Sequence, residues 1–182
     1  MKKSNSILRE ILSTGIYLLC ILVITFLIIQ YVGQRTQVRG SSMYATLEDG
    51  DNLIVDKLSY RFHDPERFDI IVFPFQYADE TYYIKRIIAL PGETVRIDEQ
   101  GYIYINDVLL EESYGYEVIK DPGRAINSVT LADDEYFVLG DNRNNSTDSR
   151  TELVGNIKRD DIIGRAWVRI YPFSKISYMG NK

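Results

Sequence analysis

The chain has one cysteine, Cys20, and one histidine, His63, among 182 residues. A lone cysteine closes no intrachain disulfide, and Cys20 falls inside an apolar run where its thiol would be inert. A lone histidine argues against a histidine-rich metal site and makes any Ser/His/Asp triad depend on that one residue. His63 stands in Arg61-Phe62-His63-Asp64-Pro65, a polar loop pattern, and reads as solvated and passive. Basic residues are also few: 21 Lys and Arg against 26 Asp and Glu give a net charge of −5, without the basic stripe of a nucleic-acid binder. Nothing in the composition implies a metal or another cofactor.

What is present first is a long uncharged segment. No Asp, Glu, Lys or Arg interrupts residues 11–34, and about 20 apolar residues rising 1.5 Å each cross a bilayer core. A cleavable secretory signal has a shorter apolar core, about 7 to 15 residues, ending at a small-residue cleavage site; this run is longer and ends Tyr31-Val32-Gly33-Gln34-Arg35. Lys2, Lys3 and Arg9 precede it, and the positive-inside rule places them in the cytoplasm. The expected organisation is a cytoplasmic tail at 1–10, a single-pass anchor in the cell membrane at 11–34, and an extracytoplasmic domain at 35–182.

Past the anchor, short apolar or alternating runs recur between turn residues at 52–56, 69–73, 82–90, 94–97, 102–105, 136–139 and 162–170. Their β-branched and aromatic content predicts a mainly β domain. Asp98-Glu99-Gln100-Gly101 reads as a hairpin connection, with Gly101 available for positive φ. Between residues 108 and 128 the chain turns polar and irregular around Pro122-Gly123, which predicts an excursion from the sheet.

Three stretches carry chemistry. A serine hydroxyl needs a base within hydrogen-bond reach, and without a suitable histidine the candidate is a lysine whose pKa burial has lowered. Lys85 lies in Tyr82-Tyr83-Ile84-Lys85-Arg86-Ile87-Ile88-Ala89-Leu90, an apolar strand pattern. Period-two alternation puts it on one face with Tyr83, Ile87 and Ala89, and Arg86 on the other with Ile84 and Ile88. Arg86 cannot lose its proton and is expected to pair with a carboxylate. Lys57 is the rival base, but Asp56 beside it would hold its charge. The nucleophile candidates are Ser41 and Ser42, after Gly40 in a turn-prone stretch; local physics does not separate the two. The third stretch, Gly140-Asp141-Asn142-Arg143-Asn144-Asn145-Ser146-Thr147-Asp148-Ser149-Arg150, is dense in side chains that bond backbone or each other. There Asp148 and Arg150 are spaced to pair, and Ser146 could orient a lysine amine.

These stretches, in this order behind an anchor, resemble the type I signal peptidases, bacterial membrane-bound Ser/Lys proteases. The resemblance implies that Ser42, the serine before methionine, is the nucleophile and that Lys85, the lysine of the Lys-Arg pair, is the general base. It also implies that Ser146 orients the lysine and that Asp148 and Arg150 support the site. Gly50-Asp51-Asn52 is similar to another family motif. The implied fold has two antiparallel sheets, and the implied substrates are exported preproteins cut after Ala-X-Ala, with Gly40, Met43 and Ile84 beside the substrate. Two positions depart from the commoner pattern: Ala45 stands where the family usually has proline, which predicts a looser nucleophile loop, and Gly40 stands where some members carry a hydroxyl. Rival readings are a repressor-type Ser/Lys protease, which would lack a membrane span, and a tethered β domain that binds exported chains without cutting them.

Overall fold

The computed structural model describes residues 2–78 and 80–180, without the side chains of residues 2–8 and 28–30. Lys2 and Lys3, whose charges set the expected orientation, therefore have side chains outside the described ones. One long helix, α1 (Lys2–Tyr31), opens the chain. Its side chains from residue 9 to 27 are exposed, Leu22 and Phe26 among them, so the protein itself covers none of this apolar surface. At 1.5 Å per residue the helix is roughly 45 Å long, enough to cross a membrane. It stops short of the expected Gln34. Gly33 favours helix poorly, and the chain turns there into β1 (Gly33–Gln37), whose Gly33 and Gln34 pair with Asp56 and Val55.

The other strands are β2 (Asn52–Asp56), β3 (Ile70–Pro74), β4 (Tyr82–Ala89), β5 (Thr94–Ile97), β6 (Ile103–Ile105), β7 (Val108–Leu109), β8 (Val129–Thr130), β9 (Glu135–Leu139), β10 (Ile157–Lys158), β11 (Gly164–Tyr171) and β12 (Ser177–Tyr178). They form two antiparallel sheets, as expected. The larger runs β1-β2-β11-β3-β4-β9-β10 with β12 on β11, and the smaller runs β7-β6-β5-β8. The predicted hairpin joins β5 to β6: Asp98 Oδ1 accepts the Gln100 and Tyr102 N–H groups, and Gly101 has φ +84°.

β4 is central. Its first half pairs with β3, Lys85 opposite Ile71, and from Arg86 onward it pairs with β9 as well. A bulge between Ile87 and Ala89 breaks the predicted alternation. Ile87 packs with Ile71, Phe73 and Val138, whereas Ala89 joins Ile88 in the core between the sheets, with Val95, Ile97 and Phe137. Two residues facing one across a bulge shift everything beyond it to the other face. A third cluster, of Val38, Met43, Leu47, Leu53, Ile70 and Ala166, holds the chain segment around Ser42 against the sheet.

The sheet registers tightly where β2 meets β11. A Cβ placed on Gly164 would lie 2.3 Å from the Asp56 carbonyl oxygen. Gly164→Ala is expected to force these strands apart and to cost roughly 1–3 kcal/mol, seen as a drop of several degrees in Tm in detergent. Gly15→Ala, with open space around its Cβ, is the control and should leave Tm unchanged or raise it by a few degrees, since alanine favours helix; a Gly164→Ala variant that melts no lower than the wild type would refute the tight register.

Candidate active site

The segment carrying Ser41 and Ser42 is pinned on both sides. Val38 donates its N–H to Asp51 O at 2.8 Å and accepts that of Gly50 at 3.0 Å. Gly40, at φ +84°, turns the chain and donates its N–H to Asp49 Oδ1 at 2.7 Å. Met43 and Leu47, 2% and 0% exposed, then sink into the core. The Tyr44–Ala45 peptide bond is cis, and Ala45 itself is exposed. Bonds from the 140–150 turn fasten the two serines that precede Ala45. Asn142 donates its backbone N–H to Ser42 O and its Nδ2 to Ser41 O, each at 3.0 Å. Asn145 Nδ2 donates to Ser41 Oγ at 2.9 Å.

Those contacts separate the two serines. The Ser41 hydroxyl is tied to Asn145, whereas Lys85 Nζ lies 2.8 Å from Ser42 Oγ. Lys85 is 3% exposed; its Nζ also donates to Ile84 O at 3.0 Å and sits 4.9 Å from the centre of the Tyr83 ring. Burial pulls its pKa down from 10.5 to about 8, against Asp148 and then Asp141, whose charges push it up. Lys57 does not line this cleft, and His63 is exposed with its ring against Tyr60.

The 140–150 turn brings the remaining groups in. Its end is sewn back onto β9, with Ser149 accepting the Val138 N–H at 3.0 Å and returning its own N–H to Val138 O at 3.1 Å. Asp148 and Arg150 form the expected pair, Nε to Oδ1 at 2.8 Å and Nη2 to Oδ2 at 2.9 Å, and Asp148 Oδ2 accepts the Gly140 N–H at 3.1 Å. Arg86 does find its carboxylate: it grips Asp141 at 2.8 and 2.7 Å, and Thr46 of the serine segment donates its hydroxyl to the same carboxylate. Gly140 is the junction. A Cβ there would lie 2.5 Å from Ser42 O and still nearer Ser146 Oγ.

Ser146 departs from its expected contact. Its Oγ is buried and makes no hydrogen bond, so the expected bond to Lys85 is not formed. The hydroxyl packs beside Gly140, and the Lys85 amine spends a donor on Ile84 O instead. Gly40, Ile84 and Met43 all border a cleft of about 660 Å³ at the dyad, Ile84 half-buried and Met43 packed down into the core beneath it.

Several contributors escaped the sequence reading. Asn142 and Asn145 were visible only as part of an Asx-rich stretch. The 108–128 excursion folds back onto the turn: Tyr116 donates its N–H to Asp141 O at 2.8 Å, the Tyr114 ring lies 3.8 Å from the Arg86 guanidinium, and Glu112 pairs with Arg143 at 2.8 Å. No local signal marked those residues, because their partners lie far away in sequence. Among the described residues no hydrogen bond joins Gly50-Asp51-Asn52 to Ser42; Asp51 holds Arg169 at 2.9 Å and Asn52 holds Arg35, which buttresses the strands behind it. Among the described residues, no three His, Cys, Asp or Glu side chains gather as a metal site would need.

Residues 10–171 match the family described as signal peptidase, peptidase S26. A probable signal peptidase I-2 of Synechocystis sp. is 40% identical over 154 residues, covering 82% of this chain and 68% of that protein. Signal peptidase I U of Bacillus subtilis is 34% identical over 182 residues, covering 97% of this chain and 94% of its own. A crystal structure of a signal peptidase I from Enterococcus faecalis V583 is 34% identical with a TM-score of 0.45, over 57% of this chain and 97% of that one. The family match runs from within α1 through β11 and takes in the cleft, the 140–150 turn and every strand of both sheets but β12: the chain belongs to the signal peptidases of peptidase family S26.

Proposed function

We propose that this protein removes signal peptides from exported preproteins with Ser42 as nucleophile and Lys85 as general base. The observation that carries the assignment is a lysine 3% exposed whose Nζ lies 2.8 Å from a serine Oγ at the edge of an open cleft. Among the described residues no carboxylate pairs with that amine, and burial favours its neutral form. Neutral Lys85 takes the Ser42 proton as Oγ attacks the scissile carbonyl, then returns it to the departing amine. The same residue next activates the water that releases the acyl group. Among the described residues the Ser42 backbone N–H has no acceptor, which suits it to the developing oxyanion. Ser146, with an unpaired buried hydroxyl beside Gly140, is suited to receive a Lys85 proton donor once the amine turns from Ile84. Asp148 and Arg150 hold the turn that carries it.

The cleft geometry supports an extended substrate. Residues 82–85 of β4 pair with β3 on one side only, because β9 joins at Arg86. β1 is an edge strand of the same sheet, and its end, Thr36 and Gln37, lines the same cleft. A peptide chain laid between two open strand edges gains main-chain hydrogen bonds, with alternate side chains facing pockets. Val38, Met43 and Ile84 give the cleft an apolar patch beside Ser42 and Lys85, which supports small apolar residues such as alanine at the first and third positions before the cut. The helix fits a membrane anchor; the charges before it support a cytoplasmic N-terminus and a catalytic domain on the outer face.

Three outcomes test the assignment. Purified protein in detergent should cut a preprotein after Ala-X-Ala, Ser42→Ala should abolish cutting, and Lys85→Met should lower it by about 10²- to 10⁴-fold. A folded wild type that binds the preprotein and leaves it intact would favour a binding module instead. Second, kcat/KM should rise about tenfold per pH unit below a midpoint near 8 and level off above it. A flat profile would remove lysine as the base.

Third, the buried amine should cost stability. Below pH 8 folded and unfolded chains both hold the Lys85 proton, and the folded state bears a buried charge at on the order of 3 kcal/mol. Between 8 and 10.5 the folded state loses that proton first, so the unfolded state binds more protons and stability rises with pH. Lys85→Met is therefore expected to melt above the wild type at pH 7, with the gap closing toward pH 10.5. A variant that melts lower at pH 7 would show that the amine stabilises the site.

A further inference from the structure

Asp148 and Asp141 are both 0% exposed, and both stand beside the dyad. Asp148 bonds the Gly140 N–H, and Gly140 packs directly on Ser42 O. Asp141 is the next residue and holds Thr46 of the serine segment. Each aspartate has a task of its own, one closing the 140–150 turn and the other tying that turn to the nucleophile segment. Both nevertheless put negative charge beside an amine that must be neutral to act, and a nearby buried anion favours the ammonium form.

Each carboxylate is also gripped at both oxygens by one arginine. Arg150 takes Asp148 from the turn itself and Arg86 takes Asp141 from the opposite face of the Lys85 strand. Arginine stays charged at any working pH and its planar fork matches a carboxylate, so each pair presents a short dipole where an unpaired aspartate would present a full charge. We propose that Arg150 and Arg86 are positioning residues of an electrostatic kind: they shield Lys85 from the two aspartates that assemble its site, and so keep the base neutral in the working range. This rests on Lys85 being the base.

The other groups around Lys85 leave that role to the pairs. From β4 it meets the uncharged Tyr83 ring, from the serine segment Ser42, and from the turn the unpaired hydroxyl of Ser146 near Gly140. β3 carries no titratable side chain, and the buried Asp69 just before it is held by Tyr60 and faces Arg165; on β9 Glu135 is held by Asn156 while Tyr136 packs in the core with Val138. Arg143 pairs with Glu112 through Nη1, while its buried Nε and Nη2 make no hydrogen bond. Arg39, Glu80 and Tyr82 line the cleft rim, exposed, where solvent screens them.

The experiment is the pH profile of kcat/KM for preprotein cleavage by the full chain in detergent, measured from about pH 6 to 10 around the Lys85 midpoint. Arg150→Met and Arg86→Met should each move the midpoint alkaline by about one unit, which lowers the rate at pH 7 about tenfold. Arg150→Lys keeps the charge without the fork; it should lower the plateau and leave the midpoint in place. Asp148→Asn should move the midpoint to lower pH. Folding is checked by melting, and where the methionine variants do not fold, Asp148→Asn and Arg150→Lys decide the matter. Midpoints that stay at the wild-type value in Asp148→Asn and in the folded methionine variants, with only the plateau reduced, would overturn the proposal and leave the pairs a bracing role. A wild type whose rate does not titrate, or a Lys85→Met variant that still cuts, would instead remove the base assignment beneath it.

Discussion

The contact on which the site depends is a buried amine, without an ionic partner among the described residues, 2.8 Å from a serine hydroxyl. Lysine in water is an ammonium ion at neutral pH and is no base. Only withdrawal from solvent makes it one, and withdrawal is costly unless the strand carrying it is buried for other reasons. β4 meets that requirement. It lies between β3 and β9 with Arg86 to Ala89 all buried, and its apolar neighbours would fill a core whether or not Lys85 were present. The amine thus occupies a place that packing has already dried. Its remaining donor contact, Ile84 O, is a neutral carbonyl that orients the group without holding its charge.

Buried ion pairs are weak evidence for stability, since desolvation can exceed the Coulombic gain and apolar replacements of the same shape often do as well. The pairs Arg86 with Asp141 and Arg150 with Asp148 are therefore better understood through what they fix. Asp141 joins the serine segment, the 140–150 turn, β4 and, through its backbone, the 108–128 excursion at one residue. Arg150 extends the other pair outward, donating to Asp121 O and Arg143 O. These contacts have direction as well as strength, and hydrophobic packing alone would not set the Ser42 carbonyl against Gly140.

Much of this was legible in the sequence because it is carried locally. The main strands, the Asp98–Gly101 hairpin and the Asp148 to Arg150 pair each depend on residues within a few positions of one another, and period, turn chemistry and spacing suffice to find them. β1 was absorbed into the anchor because Gly33 and Gln34 carry no charge, and only β2 shows that they belong to the sheet. The Lys85 alternation was right up to Ile87 and failed at the bulge, which no residue type announces. Ser41 and Ser42 were equivalent by local physics; Asn145, a hundred positions along the chain, distinguishes them by engaging the first. The role of Tyr114 and Tyr116 over Arg86 and Asp141 was hidden for the same reason.

The connection between α1 and the dyad adds a constraint of reach. Tyr31 ends the helix and Ser42 follows after eleven residues, which span at most roughly 40 Å when fully extended. β1 takes up five of them in a ladder with β2, and Val38 is fastened to Asp51 immediately after, so the connection has little slack. The same strand that leaves the helix supplies one wall of the cleft. A preprotein whose apolar signal lies in the bilayer presents its cleavage site a short way beyond the surface, and a catalytic serine on a long flexible linker would have to search for it. Here the helix, the cleft wall and Ser42, the proposed nucleophile, follow one another along a single braced segment, so a helix anchored in the membrane would also set how far from it the cut can occur.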